Sequence, residues 1–234
     1  MPKIKKIYIG QDQVRPFEWK PNSHTVAYRP LNSNTTVNDQ SGNSYNLTQT
    51  WWSFTTIDGV DCFYNGWSTT GYFTLTSWAL IPSGSSDRTM SIRVRTTEAT
   101  PAYNRYAVSY WWSSAWTSAW LYVSTSGKYE AYDHTTTIIW PTVTANTWVL
   151  LTYIVTWWKF YFYVNWQAQG NASTGSTTAI SSSYPLRMGR RANSTSSSYQ
   201  LRGYLSECII EDQAWPATKV LNYFNWKKWS YGIS

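Results

Sequence analysis

The chain has 234 residues and a net charge of +7, yet only 13% of its residues are charged, against 42% hydrophobic and 18% aromatic. That length buries a substantial core and suits a single all-β domain. Sparse charge with abundant Ser, Thr, Asn and Tyr speaks against a cytosolic metabolic enzyme and fits an extracellular, cell-surface or virion protein, and no apolar run of roughly 18 residues is present to span a membrane as a helix.

The first residues, MPKIKKIYIGQDQ, are basic but lack the apolar centre of a signal peptide. The expectation is export by another route, or assembly inside a cell as for phage structural proteins. Lys5 to Ile9 and Gln13 to Arg15 predict two short strands around a Gly10-Gln11-Asp12 turn, stopped by Pro16. Residues 1–22 are therefore read as an N-terminal extension, either an edge hairpin or an attachment segment for a virion or surface-appendage partner. Residues 23–234 are read as the domain proper.

From His24 onward, short apolar stretches alternate with turns rich in Ser, Thr, Asn and Gly. Strands are predicted near 25–30, 45–48, 60–64, 71–76, 89–96, 105–111, 119–124, 128–132, 147–155, 159–166, 185–189 and 201–211. That regularity predicts a two-sheet antiparallel sandwich. Only Pro216 to Asn225 reads as a helix, with Pro in its first turn.

The most informative stretch is Asn146 to Gln169, NTWVLLTYIVTWWKFYFYVNWQAQ. Phe160, Phe162 and Val164 alternate with Tyr161, Tyr163 and Asn165, the period-2 pattern of a half-buried strand. Thr147 to Val155 is apolar on both faces, as a central strand would be. The Trp148 to Thr152-Tyr153 strand and the following "YVN" resemble the signature hairpin of laminin-G-like, or concanavalin A-like, jelly-roll domains. Leu186 to Arg190, with Gly203 to Trp215, is similar to the closing strand and short helix of that group. Ala27 to Leu31, followed by Asp39-Gln40-Ser41-Gly42-Asn43, is similar to its opening. The resemblance covers most of residues 23–225 and implies an all-β jelly-roll sandwich, the opening strand near 25–30 lying beside the closing strand near 203–211. It says little about ligand, because the fold hosts many functions.

The chain holds 17 Trp and only 12 Gly. Trp166 follows Asn165 where the family has Asn-Gly, and Trp157-Trp158 occupies a hairpin tip, where Gly, Asn and Asp are favoured. Trp51-Trp52 and Trp111-Trp112 stand in similar settings. Two readings stay open: UGA codons decoded as Gly in the source organism but translated here as Trp, or an aromatic binding surface. The first requires turn geometry and exposed indoles at 157, 158 and 166, and a buried Trp148.

Catalysis is weighed first, because concanavalin A-like folds include glycanases. The E-x-D-x-x-E strand of the laminarinase-like members is absent. Glu207 and Glu211 would stand roughly 13 Å apart along a strand, against about 5 Å for a retaining pair. Glu130 with Asp133, and Asp58 with Asp61, face opposite sides of a regular strand. His24 and His134 lie in no nucleophile context, and two isolated His with two distant Cys supply no zinc site. A glycan hydrolase is therefore the third reading of function. Calcium is the cofactor that the resemblance brings, and Asp39, Asp58 and Asp61 lie near loops. Asp39-Gln40-Ser41-Gly42-Asn43 is read first as an Asx turn, and no metal ligand is assigned.

The ligand-binding candidates are Tyr110, Trp111, Trp112, Trp116, Trp120 and Tyr122, where aromatic faces would stack on sugar rings. The alternative is packing within the sheet. Two basic groups, Lys3 to Lys20 and Arg187, Arg190, Arg191 and Arg202, lack a nucleic-acid module and suit solvated faces or anionic glycans. Cys62 and Cys208 would pair only if their strands are neighbours, and a buried free thiol is favoured at 208. N-x-S/T sequons begin at Asn34, Asn46, Asn171 and Asn193 and matter only in a secretory pathway. The leading reading is a non-catalytic module binding carbohydrate or another cell-surface ligand. The second is a structural or receptor-recognition protein of a phage particle or surface appendage.

Overall fold

The computed structural model describes residues 18–31, 39–50, 53–65, 71–75, 82, 86–110, 118–133, 136–157, 159–173, 186–192, 194 and 196–228. In chain order these form β1 (Thr25–Arg29), β2 (Leu47–Thr50), β3 (Ser53–Ile57), β4 (Val60–Asn65), β5 (Tyr72–Leu75), β6 (Arg88–Thr96), β7 (Arg105–Tyr110), β8 (Ala119–Val123), β9 (Lys128–Asp133), β10 (Thr136–Thr142), β11 (Trp148–Thr156), β12 (Lys159–Val164), β13 (Gln167–Ser173), β14 (Arg187–Met188), β15 (Gly203–Glu211) and α1 (Ala217–Lys228). Every pair of named strands is antiparallel. The molecule is an all-β two-sheet sandwich with one C-terminal helix.

The first sheet has eight strands in the order β13-β12-β11-β6-β15-β4-β3, with β1 also beside β15. The second has seven, in the order β10-β9-β8-β7-β14-β5-β2. Opening and closing strands meet as expected: Tyr28 stands opposite Ile209 and Arg29 opposite Cys208. Three strands were not anticipated, β3, β10 and β13. The β3–β4 connection carries the strongest short hairpin signal in the described chain, Asp58-Gly59, both at positive φ (54° and 76°) between the paired Ile57 and Val60.

The alternation in β12 is confirmed. Phe160, Phe162 and Val164 are buried between the sheets with Phe63, Phe73, Leu121, Leu151 and Ile210. β11 is apolar on both sides because both sides are covered. Leu151, Tyr153 and Val155 face the sandwich core, while Leu150 and Ile154 face a second cluster formed by Trp19, Trp215, Val220, Tyr223 and Phe224. That cluster seats α1 on the outer face of the first sheet. Trp19 lies within the segment read as an extension, and its indole packs edge-on against Tyr28 at 4.7 Å. The strands predicted between residues 5 and 15 lie outside the described residues.

Gly203 opens β15 at φ +149°, and a Cβ there would collide with the Arg95 carbonyl oxygen, so glycine is required by close approach of the β6 backbone. Cys62 and Cys208 are both free. Cys208 belongs to the core between the sheets, whereas Cys62 joins Val60 and Trp148 in a separate small cluster. The two thiols point to opposite faces of one sheet, so strand adjacency does not bring them together.

At the hairpin tips, Trp157 has φ +47° and is 79% exposed. Trp166 is 46% exposed, but the positive φ belongs to Asn165 (+60°) and not to Trp166. Positive φ at the first central residue alone is the sign pattern of a type II′ turn, so position 166 does not require glycine. Trp148 is buried, and Trp158, Trp51 and Trp52 lie outside the described residues. Turn geometry with an exposed indole is present at Trp157, Trp166 shows the exposed indole alone, and the recoding reading gains no support from the fold.

Candidate functional site

The two sheets differ on their outer faces. The first carries α1, whereas among the described residues no α-helix covers the second, and only the one-turn 3₁₀ helix Ser197–Tyr199 lies against β7, with Tyr199 edge-on to Tyr106. Strand pairing puts one row of residues straight across six strands of that second sheet: Thr74 on β5, Arg187 on β14, Ser109 on β7, Trp120 on β8, Tyr132 on β9 and Thr137 on β10. A second row runs alongside, Tyr106, Tyr122, Glu130 and Ile139. The intervening residues, among them Phe73, Val108, Leu121, Ala131 and Met188, belong to the core. Period-2 alternation therefore turns both rows outward.

The aromatic members are packed against one another. Trp120 and Tyr132 stack at 4.4 Å between ring centroids, 19° from parallel. Tyr106 stacks on Tyr122 at 5.3 Å and meets Trp120 edge-on at 5.5 Å. These geometries suit the ring quadrupoles. Arg191 brings its guanidinium 5.0 Å from the Trp120 ring and 5.2 Å from Tyr199, a cation–π cap. The Tyr122 hydroxyl donates to Glu130 Oε2 at 2.5 Å. Burial pushes the Tyr122 hydroxyl well above its ordinary pKa, and the bond to Glu130 adds to that, so Tyr122 remains a donor. Trp120 and Tyr132 are half-buried, whereas Tyr106 and Tyr122 are buried, so the first pair forms the accessible part of the platform.

Beyond β7 the same face turns basic. Arg187 and Arg190 bring their guanidiniums to 4.9 Å and 5.1 Å of the Tyr72 ring. Gly189, at φ +79°, breaks the alternation and lets both arginines reach one ring. Burial lowers the pKa of both, and for Arg190 the neighbouring Arg187 charge adds to the effect.

Of the six aromatics singled out in the sequence, Trp120 and Tyr122 lie on this face, two apart on β8 and on the same side. Tyr110 ends β7, but its side chain lies outside the described residues, as do Trp111, Trp112 and Trp116. Tyr132, Tyr106 and Tyr72 are not among the sequence candidates, and Arg191 belongs to the basic group marked in the sequence rather than to the aromatic set. The alternation in Lys128–Asp133, KYEAYD, held the signal for Tyr132.

The carboxylates considered for catalysis have other partners. Glu211 is fully buried and accepts from Trp19 Nε1 (3.1 Å), Trp215 Nε1 (2.6 Å), Gln213 Nε2 (2.6 Å) and Lys219 Nζ (2.8 Å). Glu207 faces Lys227 at 3.2 Å and Arg93 at 3.8 Å. Both lie beneath α1 and hold it to the sheet. Asp58 pairs with Arg95, and Asp61 accepts from Thr56. His24 meets Asp212 at 2.9 Å on an exposed edge, and His134 lies outside the described residues.

Asp39 makes the expected Asx turn. Its oxygens accept from the backbone N–H of Tyr28, Ser41 and Tyr45 and from the Ser41 hydroxyl. A carboxylate surrounded by donors is a poor cation ligand, so these residues do not fit calcium. Among the described residues, no three His, Cys, Asp or Glu side chains gather as metal ligands would. An open apolar cleft of about 200 Å³ lies beside α1, lined by Ile154, Thr156, Tyr161, Tyr163 and Trp215.

No protein-family model matches the chain, and no curated protein does. Solved structures do. The binding domain of Paraclostridial Mosquitocidal Protein 1 superposes with a TM-score of 0.70 at 15% identity, over 90% of this chain and 55% of that one. Domain 4 of AbnA, an extracellular GH43 arabinanase of Geobacillus stearothermophilus, solved with arabinotriose, gives 0.65 at 12% identity, over 85% of this chain and 97% of that domain. A structure of botulinum neurotoxin type C, whose cell entry depends upon interaction with two ganglioside molecules, gives 0.65 at 10% identity, over 88% of this chain and 51% of that one. The chain spans about half the length of the toxin structures it matches. At such identities the likeness is one of fold. It establishes the β-sandwich shared with binding domains and does not extend to the laminin-G-like family.

Proposed function

We propose that this chain is a non-catalytic binding module for carbohydrate or a glycan-bearing cell-surface ligand, and that the outer face of the seven-stranded sheet receives it. The carrying observation is the half-buried Trp120–Tyr132 stack, capped by Arg191 and backed by Tyr106 and Tyr122. Such a plane accepts the apolar face of a sugar ring, while the Tyr132 hydroxyl and the Arg191 guanidinium place polar groups beside it. The carboxylates that would serve hydrolysis are committed to the seat of α1. The fold neighbours support the reading at a coarse level: they are binding domains of toxins and of a secreted glycanase. An extracellular or cell-surface location follows from the same reading. The laminin-G-like assignment, and residues 1–22 as an attachment segment, belong to the proposal too.

The test is a glycan array probed with the full chain and with Trp120→Ala. The wild type is expected to bind a defined set of glycans, and the variant to lose about tenfold or more in affinity, as for an aromatic anchor at a binding surface, while a circular dichroism spectrum and a cooperative unfolding transition show that it stays folded. Binding that survives Trp120→Ala unchanged moves the site elsewhere. An array without a single bound glycan overturns the reading.

A further inference from the structure

The geometry points to a subsite for an anionic group on the ligand, a sugar carboxylate or sulfate ester, held by Arg187 and Arg190 over Tyr72. The inference rests on the proposed use of this sheet face for glycan. It adds that the ligand is acidic, and it places the acidic group on the β14–β5 side of the aromatic plane.

Three observations carry it. The arginines converge on one ring, at 4.9 Å and 5.1 Å, although like charges repel at such separations. Neither takes part in an ion pair among the described residues, whereas Arg93, Arg95, Arg105 and Arg202 on the same molecule each meet a carboxylate. Arg190 is only 4% exposed, yet its Nε and Nη2 have no hydrogen-bond partner there, and neither has Nε of Arg187. Arg187 spends one donor on the Ser194 carbonyl oxygen at 3.2 Å. A buried guanidinium without an acceptor carries an uncompensated desolvation cost. An oxyanion over Tyr72 would supply acceptors for both forks and cancel their mutual repulsion, and arginine suits planar, bidentate recognition of such groups. Among the described residues, the carboxylate in the two outward rows, Glu130, lies on β9 and already accepts from Tyr122.

Arg187 and Trp120 both flank Ser109 in the cross-strand row. Two inter-strand spacings separate them, about 10 Å. That is the order of one to two sugar residues, so one oligosaccharide can lie on the Trp120–Tyr132 stack and present its acidic substituent to the arginine pair.

The experiment uses the full chain on an array printed with matched neutral, carboxylated and sulfated versions of the same oligosaccharides. Expected is a preference of about tenfold or more for the anionic members, consistent with hydrogen bonds to charged groups. The carboxylated and sulfated spots decide which anion is taken. Carboxyl reduction of a bound acidic glycan should abolish that preference, and added inorganic sulfate should compete for it. Arg187→Gln should bring the acidic-to-neutral ratio close to one. Arg187 is half-buried, so this variant stays informative if Arg190→Gln fails to fold, and the ligand-side comparisons need no variant. Equal binding of neutral and anionic members overturns the subsite but leaves the glycan reading standing. An array with no bound glycan overturns both.

Discussion

At the scale of single residues, backbone geometry and local donors decide more than hydrophobicity does. Trp157 holds positive φ with a Cβ, a conformation that costs about 1 kcal/mol or more, and its indole is mostly in solvent. Trp157→Gly should therefore fold at least as stably as the parent in a urea titration. A loss of more than about 1 kcal/mol would show that the indole makes contacts worth more than the strain it imposes. Asp39 behaves in the opposite sense, because its neighbours fit it. Burial raises its pKa, but the bonds from Ser41, Tyr28 and Tyr45 outweigh that and hold it below its ordinary value. A carboxyl with a lower pKa folded than unfolded contributes stability above its unfolded value, near pH 4, and loses it as pH falls through the folded one. Stability should drop on acidification below about pH 4, and Asp39→Asn should flatten that part of the profile. An unchanged acid slope in the variant would remove Asp39 from the explanation.

At the scale of elements, the docking of α1 turns on one buried carboxylate. Glu211 accepts from two indoles, an amide and an ammonium, so Glu211→Ala leaves several donors without an acceptor. The expected loss is about 3–5 kcal/mol, accompanied by a change in tryptophan fluorescence as Trp19 and Trp215 lose their common partner. A loss under about 1 kcal/mol would mean that water satisfies these donors. On the inner side of the same sheet, Phe162→Ala should cost about 3–5 kcal/mol by core truncation, since Phe162 is fully buried between the sheets. The two losses should add, because the residues lie on opposite faces without common partners.

At the scale of the whole molecule, the sandwich holds without a covalent staple between its two cysteines. Burial pushes both the Cys62 and Cys208 thiols up to about 12, so neither offers a reactive thiolate near neutral pH. Reductant should leave the thermal midpoint unchanged. Labelling of both thiols by an alkylating reagent should follow global unfolding as denaturant is raised. Rapid labelling of Cys62 alone in native buffer would instead reveal local opening of the β3–β4 edge.

Much of the fold was legible in the sequence, because strand periodicity, turn chemistry and core alternation are local properties. The Phe160-Phe162-Val164 stripe, the doubly apolar β11, the Asx turn at Asp39 and the short C-terminal helix all follow from neighbours within a few residues. The misses have equally local causes. β13, Gln167–Ser173, is polar and small and lacks a strand pattern, and β3, Ser53–Ile57, is marked in the sequence only by the Asp58-Gly59 turn that follows it. The candidate site was legible only in part. Trp120 and Tyr122 could be placed on one face from their spacing. That Arg187, Ser109, Trp120 and Tyr132 form one row depends on β14 inserting between β5 and β7, and strand order is set by the packing of the whole sandwich rather than by any segment. The same holds for Glu207 and Glu211, which only the position of α1 shows to be structural. Periodicity says which way a side chain points, but tertiary structure alone decides what stands beside it.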